Sequence, residues 1–551
     1  MKRVNPVFTF ALLCAVWLAL PRSQAAPQPE TNATKFAHSH YGMVATGSPY
    51  ATSAAVQMLE AGGNAMDAAA AAHLALMVVD PANTSLGGRA QILLRLSDGR
   101  VIPIDGATQT PAGVTPLSRA DEDRLGYAVA PVPGNLAALA EMVGKYGKLK
   151  WAKVMRPAIT LAEQGFKVPP RLAATWARVS EALRSNPGAA QNFLKPDGSA
   201  YQTGEVFRQP RLAQVLRQIA VSGAGAFYRG PIADAIARDV DRRGGFIRKQ
   251  DLENYRAQPG GVARATYRGY EVATAGGRAW GDTLVEMLNI LDQFSIGHAA
   301  PTGEEVEILA RVMAQALADR PQEIGSLKPK KDGYRLATLS SRQFGVERAA
   351  LIKQRLLAPG GPQRQGERHD TTHLSVVDEA GNTVALTTSI GPSFGSRIAA
   401  PELGFLYAHS YRMRADPTPG SRDETEMTPT ILIRDNKPAL AIGAAGSELI
   451  PTAILQIISN LVDRGYTLEQ AFSAPRIFCL NRSLRLQAGF PAALSDYLRA
   501  RGFELEQATP DSTFHFGLAQ AVQYDPTTGE YFGAADPQAD GSAAGPARSK
   551  I

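Results

Sequence analysis

Asp370-Thr371-Thr372-His373-Leu374-Ser375-Val376-Val377-Asp378, followed by Glu379-Ala380-Gly381-Asn382 and then Thr383 to Ile390, reads as two extended segments joined by a tight turn. Thr372, Leu374 and Val376 alternate with His373 and Ser375, the period-two pattern of a strand, and Gly381-Asn382 supplies the turn chemistry of a β-hairpin. Just upstream, between Leu357 and His369, the chain runs Pro359-Gly360-Gly361-Pro362-Gln363-Arg364-Gln365-Gly366, an exposed loop by composition. A loop that ends abruptly at a buried strand is an accessible place for a chain to be cut. A cut between Asp370 and Thr371 leaves a threonine at a new N-terminus, with a hydroxyl nucleophile and an α-amine of ordinary pKa about 8 to take its proton. By itself the tetrapeptide also suits an ordinary strand start, so the rest of the chain has to carry the reading.

Outward from this hairpin, helices and strands alternate irregularly. Ala54, Ala55, Met58 and Leu59 fit a helix ending at Gly62-Gly63. A second helix spans about Ala65 to Val79, and its Ala-rich, all-round apolar surface predicts burial between layers. Asp67 and His73 on it are expected to be satisfied buried polar groups. Gln91 to Leu96 and Val101 to Ile104 form a hairpin through Ser97-Asp98-Gly99. About Asn135 to Tyr255 is mostly helical, Tyr267 to Thr274 is a strand, and helices fill Thr283 to Ala318. Ile431 to Ile433 and Pro438 to Ile442 make another hairpin, followed by helices near Thr452 to Gly465 and Ala492 to Arg501 and a strand near Leu518 to Tyr524. Hairpins in place of crossover units favour a layered antiparallel sheet between helices over a doubly wound parallel one.

The 551 residues carry 58 Lys and Arg against 51 Asp and Glu, a surplus spread along the chain with no basic stripe for nucleic acid; Lys328, Lys330 and Lys331 beside Pro329 read as a solvated loop. Met1-Lys2-Arg3, the apolar stretch Val7 to Leu20 and the small residues Ser23-Gln24-Ala25-Ala26 predict a signal peptide over residues 1–26 and a periplasmic or secreted product, with no stable membrane insertion. Cys14 falls within that signal, so the mature chain keeps only Cys479 and has no internal disulfide. The eight histidines show no metal-ligand spacing, and no phosphate-binding Gly-rich loop with Lys and Ser/Thr is present; the expectation is chemistry without metal or cofactor.

At Thr371-Thr372-His373-Leu374-Ser375-Val376-Val377-Asp378 with Gly381-Asn382, the sequence resembles the start of the small subunit of the gamma-glutamyltransferases. Further segments fit the same family in order: Ala61-Gly62-Gly63-Asn64-Ala65-Met66-Asp67, Val132-Pro133-Gly134, Tyr267-Arg268-Gly269-Tyr270, Met427-Thr428-Pro429-Thr430 and Ala474-Pro475-Arg476. The resemblance spans about Ala37 to Pro537. It implies an α+β fold, a four-layer αββα sandwich of the N-terminal-nucleophile-hydrolase type, and self-cleavage at Asp370/Thr371 into a large subunit (27–370) and an associated small subunit (371–551). It further implies a threonyl acyl-enzyme on Thr371, a supporting hydroxyl at Ser389, and an oxyanion hole from the backbone amides of Gly446 and Ser447, where relatives have two glycines.

The substrate clamp departs from the family. The arginine expected for the α-carboxylate falls on Ala107 in Asp105-Gly106-Ala107-Thr108, and the aspartate for the α-amine falls on Met413. The family's Asn and Gln become Gly391 and Ser410, and its serine pair becomes Thr425-Glu426. Arg89 and Arg397 are additional cations expected near the pocket, able to receive a carboxylate from another direction. Three readings remain open at this level: a self-processing hydrolase or acyltransferase for γ-glutamyl amides, an acylase for another small-molecule or peptide amide, and a secreted binding protein of the same fold that no longer turns over.

Overall fold

The computed structural model describes residues 34–115, 125–297, 299–320, 335–354, 369–410, 413, 417–508 and 515–547. The signal at 1–26, the loop at 357–368 and the lysines around Pro329 lie outside them.

The hairpin that opens at Thr371 forms the middle of a sheet. His369–Asp378 pairs antiparallel with Thr383–Pro392, with Leu374 opposite Leu386 and Val376 opposite Val384. The seven strands of that sheet run Ser542–Ala544, Gly42–Thr46, His369–Asp378, Thr383–Pro392, Arg89–Arg95, Val101–Gly106 and Gln258–Pro259. A second seven-stranded sheet faces it, in the order Phe36–Ser39, Glu530–Ala535, Leu518–Asp525, Lys437–Ala445, Thr430–Arg434, Tyr270–Gly276 and Gly261–Tyr267. Between them lies a thin core of small and medium side chains, among them Met43, Ala45, Leu93, Val377, Ala385, Ile431, Ala441 and Val522. Leu374, Val376, Val384 and Leu386 point the other way, into a core closed by Pro49–Glu60, Ala65–Val79 and Trp151–Gln164. Gly281–Leu291, Gly303–Asp319 and Leu449–Val462 cover the outer face of the second sheet. The order is therefore helix, sheet, sheet, helix, as expected from the sequence.

The alanine-rich helix is buried along its whole length. Its start is fixed by Asn64, whose Oδ1 accepts the Met66 and Asp67 N–H groups while Asp67 accepts the Asn64 N–H at 3.0 Å, a reciprocal cap. His73 Nε2 lies 2.9 Å from Thr388 Oγ1. Asp67 is satisfied, as anticipated, whereas His73 is satisfied only at Nε2, its Nδ1 being buried without a hydrogen-bond partner among the described residues.

One local reading changes, and one strand has no expectation from the sequence behind it. The strand expected over Tyr267 to Thr274 is broken by Arg268 (φ 48°) and Gly269 (φ 84°), consecutive left-handed residues that fold Gly261–Tyr267 against Tyr270–Gly276 as a hairpin. Gly42–Thr46 has no alternation to betray it, because it is buried on both faces; pairing with Leu374 to Asp378 makes it a strand.

Both sheets contain strands from either side of residue 370. Gly42–Thr46 lies between Ser542–Ala544 and His369–Asp378, and the buried ion pair Arg464–Glu305, at 3.1 Å, joins the two parts again. A cut at 370/371 would leave this interleaved core standing.

His373 bridges the two sheets near Thr371. Its Nδ1 is 2.8 Å from Thr387 Oγ1 and its Nε2 is 2.9 Å from Ser375 Oγ, and its ring packs against Gly443 of the opposite sheet. Burial lowers its pKa to about 3, so the ring is neutral.

Candidate active site

Thr371 sits at a register shift in the hairpin, between Asp370 and itself, and is only 6% exposed. A bulge re-aims a side chain at the end of a ladder. Thr371 lies opposite Ser389, and Ser389 lies opposite Arg89 on the next strand, so the three form one row across the sheet. Ser389 Oγ accepts the Gly391 N–H at 2.9 Å.

Across the layers, Lys437–Ala445 ends at Gly446 (φ 125°) and Ser447 (φ 56°), two left-handed residues directly before Leu449–Val462. Consecutive backbone N–H groups at the head of a 14-residue helix lie at the positive end of its dipole, which favours a developing oxyanion. A cleft of about 480 Å³ is lined by Thr371 and Thr372 from one sheet and by Ala445 and Gly446 from the other. The candidate nucleophile and the candidate oxyanion turn, 75 residues apart in sequence and on different sheets, thus share one space.

His515 belongs to this site and is not singled out by the sequence. It lines the same cleft, its Nδ1 accepts the Gly517 N–H at 3.3 Å, and a Cβ added at Gly446 would lie 2.6 Å from its Cε1. Only the tertiary fold brings His515 over Gly446.

The positions expected to contact substrate come together in part, around a residue that the sequence did not flag. Asp423 Oδ2 accepts from Thr108 Oγ1 at 2.6 Å, its Oδ1 accepts from Ser410 Oγ at 2.7 Å, and Arg89 Nη1 approaches Oδ2 at 3.5 Å. Met413 donates its N–H to Ser410 Oγ at 3.2 Å. Arg89 is therefore a buried cation facing a buried carboxylate, beside the position where the family resemblance places an arginine on Ala107. Thr425 and Glu426 lie elsewhere: the Thr425 N–H donates to the Arg278 carbonyl at 2.8 Å, and Glu426 is the leading counter-charge of Arg320. Arg320 stacks 3.6 Å from the Trp280 ring centre, and burial lowers its pKa to about 9. Arg397 occupies a left-handed turn (φ 57°), with its N–H on the Phe394 carbonyl at 3.0 Å. Arg89, Arg397, Ser410, Thr425 and Glu426 are not among the residues lining the cleft at Thr371. Among the described residues no group of three or more His, Cys, Asp or Glu is placed to hold a metal ion, and no helix is long and apolar enough to cross a membrane.

Two facing antiparallel sheets between helical layers are the architecture expected of an N-terminal-nucleophile hydrolase, and known proteins agree. The family described as gamma-glutamyltranspeptidase matches residues 51–546. An acylase ACY 1 proenzyme of Pseudomonas sp. (strain SE83) is 33% identical, over 91% of this chain and 93% of its own length. A glutathione hydrolase proenzyme of Escherichia coli (strain K12) is 31% identical, over 90% of each chain. The crystal structure of a cephalosporin acylase from Bacillus halodurans superposes with a TM-score of 0.83 at 28% identity, covering 95% of this chain and 98% of that one. The chain belongs to the gamma-glutamyltranspeptidase family and is an enzyme of the N-terminal-nucleophile class.

Proposed function

We propose that the chain is exported by residues 1–26, cuts itself between Asp370 and Thr371, and then hydrolyses or transfers the acyl group of an amide through an ester on Thr371. The observation that carries this reading is the convergence of Thr371 and Gly446 on one cleft. In maturation, Thr371 Oγ attacks the Asp370 carbonyl carbon, and the peptide C–N bond breaks as the nitrogen takes the hydroxyl proton, giving an ester and the free Thr371 α-amine; water then hydrolyses the ester, releasing Asp370 as a carboxylate and restoring the Thr371 hydroxyl. In turnover, the amine takes the hydroxyl proton as Oγ attacks the substrate carbonyl. The tetrahedral oxyanion sits against the backbone N–H groups of Gly446 and Ser447, and its collapse expels the amine half with the proton held by Thr371. Water or a second amine then takes the acyl group. Ser389, opposite Thr371, holds the nucleophile's orientation.

A second reading concerns the acyl donor, and the Arg89–Asp423 contact favours it. With Ser410 and Thr108 directed at Asp423, the chain satisfies its own charges beside the positions, Ala107 and Met413, to which the family resemblance assigns the grip on an amino-acid head. An α-ammonium and α-carboxylate entering there would have to displace this buried arrangement, at a cost on the order of 2–5 kcal/mol. The preferred acyl group on this reading lacks the free amino-acid head, as in acylase substrates.

Intact mass and denaturing-gel analysis of the expressed chain, beside Thr371→Ala, tests the maturation step. Two fragments are expected, the smaller beginning at Thr371, with a single uncut chain in the variant. An uncut wild-type chain refutes the proposal.

A further inference from the structure

The gap between the two sheets ends at the cleft that Thr371 shares with Gly446. Alternation along each strand fixes which side chains enter that gap. On His369–Asp378, Val377 belongs to the inter-sheet core, so His373 and Thr371 project the same way. On Leu518–Asp525, Val522 belongs to it, so Gln520 and Leu518 do as well. Gln520 is paired with Gly443, the glycine that packs against the His373 ring, and it lines the cleft together with Thr371.

Gln520 is only 2% exposed, and its strand is paired on both sides, with Gly443 and with Ala535. Its side-chain Oε1 is nonetheless buried with no hydrogen-bond partner among the described residues. Buried amide oxygens are almost always paired, because an unpaired one forfeits the hydrogen bonds it would make to water. An acceptor of this kind beside the nucleophile calls for a donor that arrives there later. The cut supplies one. In the uncut chain the Thr371 nitrogen is a peptide group with a single hydrogen; cleavage turns it into an α-amine with further N–H donors, released into the same cleft.

Charged and titratable groups surround that amine as well. Asp80, Asp540, Tyr50 and His515 line the cleft, as do Arg171 and Arg178 from the helix Pro170–Arg184. Asp80 accepts Asn83 Nδ2 on both oxygens, at 2.9 and 3.0 Å, Arg171 and Lys35 act on Asp540, and the His373 ring is neutral. Arg89, in the row of Thr371 and Ser389, faces Asp423. Together these charges set the background in which the amine titrates. A neutral amide adds direction to it, by fixing where the nitrogen lone pair points.

Resting on the reading of Thr371 as nucleophile, we propose that Gln520 is a positioning residue of the mature enzyme, its Oε1 accepting an N–H of the Thr371 α-amine that the cut releases. Held from across the gap, the amine turns its lone pair toward Thr371 Oγ, whose proton it takes in turnover. The same contact favours the ammonium form, so it raises the pH above which the amine acts as a base. Self-cleavage thereby frees the base and gives a buried amide its partner in one step.

The test uses the self-cleaved protein and 4-nitrophenyl acetate, an activated ester that needs only a nucleophile and its base. Thr371 Oγ takes the acetyl group, the amine takes the hydroxyl proton and 4-nitrophenolate leaves. Acetylation of the small fragment is followed by intact mass from about pH 5.5 to 9 and located at Thr371 by peptide mapping. Gln520→Met, similar in length but with no amide acceptor, and Gln520→Glu are compared with the wild type, and both are expected to mature to two fragments. Gln520→Met should lower the plateau rate about tenfold and move the acidic limb of the pH profile down by about half a pH unit, whereas Gln520→Glu should move that limb up by about one pH unit. A packing role alone would lower the rate and leave the limb where it is. Limbs that stay in place, or move in the same direction in both variants, overturn the proposal; if only Gln520→Glu fails to mature, the Gln520→Met limb decides. Loss of self-cleavage in both variants also overturns it, since Gln520 would then serve the uncut chain. A self-cleaved wild type that is not acetylated at Thr371 instead removes the nucleophile reading, and the proposal with it.

Discussion

Replacing Gly443 by alanine tests how tightly the two sheets are held at the nucleophile. A Cβ there would lie 2.3 Å from both Cε1 and Nδ1 of His373 and 2.8 Å from its Cγ, against ordinary contacts of 3.4 Å or more. The imidazole cannot swing aside cheaply, because Thr387 and Ser375 hold both nitrogens. Either the sheets part by about 1 Å or the ring gives up its hydrogen bonds. Overpacking costs about 1–3 kcal/mol and each lost hydrogen bond about 1 kcal/mol, so Gly443→Ala should destabilise by about 2–4 kcal/mol. Since Thr371 is two residues from His373 on the same strand, self-cleavage should slow as well. Urea unfolding of Thr371→Ala, with and without Gly443→Ala, isolates the stability effect in an uncut chain. A double-mutant cycle with His373→Ala should show coupling of at least about 1 kcal/mol, since the smaller side chain makes room for the methyl. A Gly443→Ala midpoint within about 0.5 kcal/mol of its parent, or no coupling, would refute the claim that this contact fixes the spacing.

The left-handed φ of 56° at Ser447 predicts that Ser447→Gly stabilises the protein by about 0.5–1 kcal/mol and preserves self-cleavage; a lower unfolding midpoint would contradict it. Gly446→Ala should place a methyl against His515 and reduce turnover by about 10²-fold or more while the fragments stay associated, a loss read from initial rates on the best amide substrate. His73 and His373 are both held neutral by burial, with pKa lowered to about 3, whereas in the unfolded chain they protonate near 6.5. Stability from these groups is full above pH 6.5 and is lost as pH falls toward 3, at about 1.4 kcal/mol per pH unit for each; a stability flat between pH 6.5 and 4.5 would contradict it. After self-cleavage the two fragments should co-elute in native gel filtration, because both sheets are built from both, and separation without denaturant would show that they are not interleaved.

The local signals in the sequence were strong where one face of an element is buried and the other is not, or where a turn residue is required. The hairpin at Thr371, the hairpin at Ser97-Asp98-Gly99 and the buried Ala65–Val79 helix all followed from periodicity and turn chemistry, which act within a few residues. Gly42–Thr46 was hidden because a strand buried on both faces has no alternation, and the Arg268-Gly269 turn because its first left-handed residue is not one of the usual turn formers. For the site, Thr371 was singled out by its place at the start of the hairpin, and Ser389, Gly446 and Ser447 by the resemblance to the gamma-glutamyltransferases. Asp423, His515, Arg171 and Arg178 carry no motif. Their proximity to one another or to Thr371 depends on which strand ends beside which helix, a long-range packing outcome. The sequence by itself therefore determined the chemistry that a cut before Thr371 would create, since a threonine and its own amine are neighbours by covalent bonding. The tertiary structure decided the surroundings: beside the cleft at that threonine, a histidine over the oxyanion turn and a helix that brings Arg171 and Arg178 to the wall, and at Arg89, two strands away, a carboxylate already engaged by Ser410 and Thr108. Those contacts join residues tens to hundreds of positions apart, and only the packing of two sheets and their helices sets them.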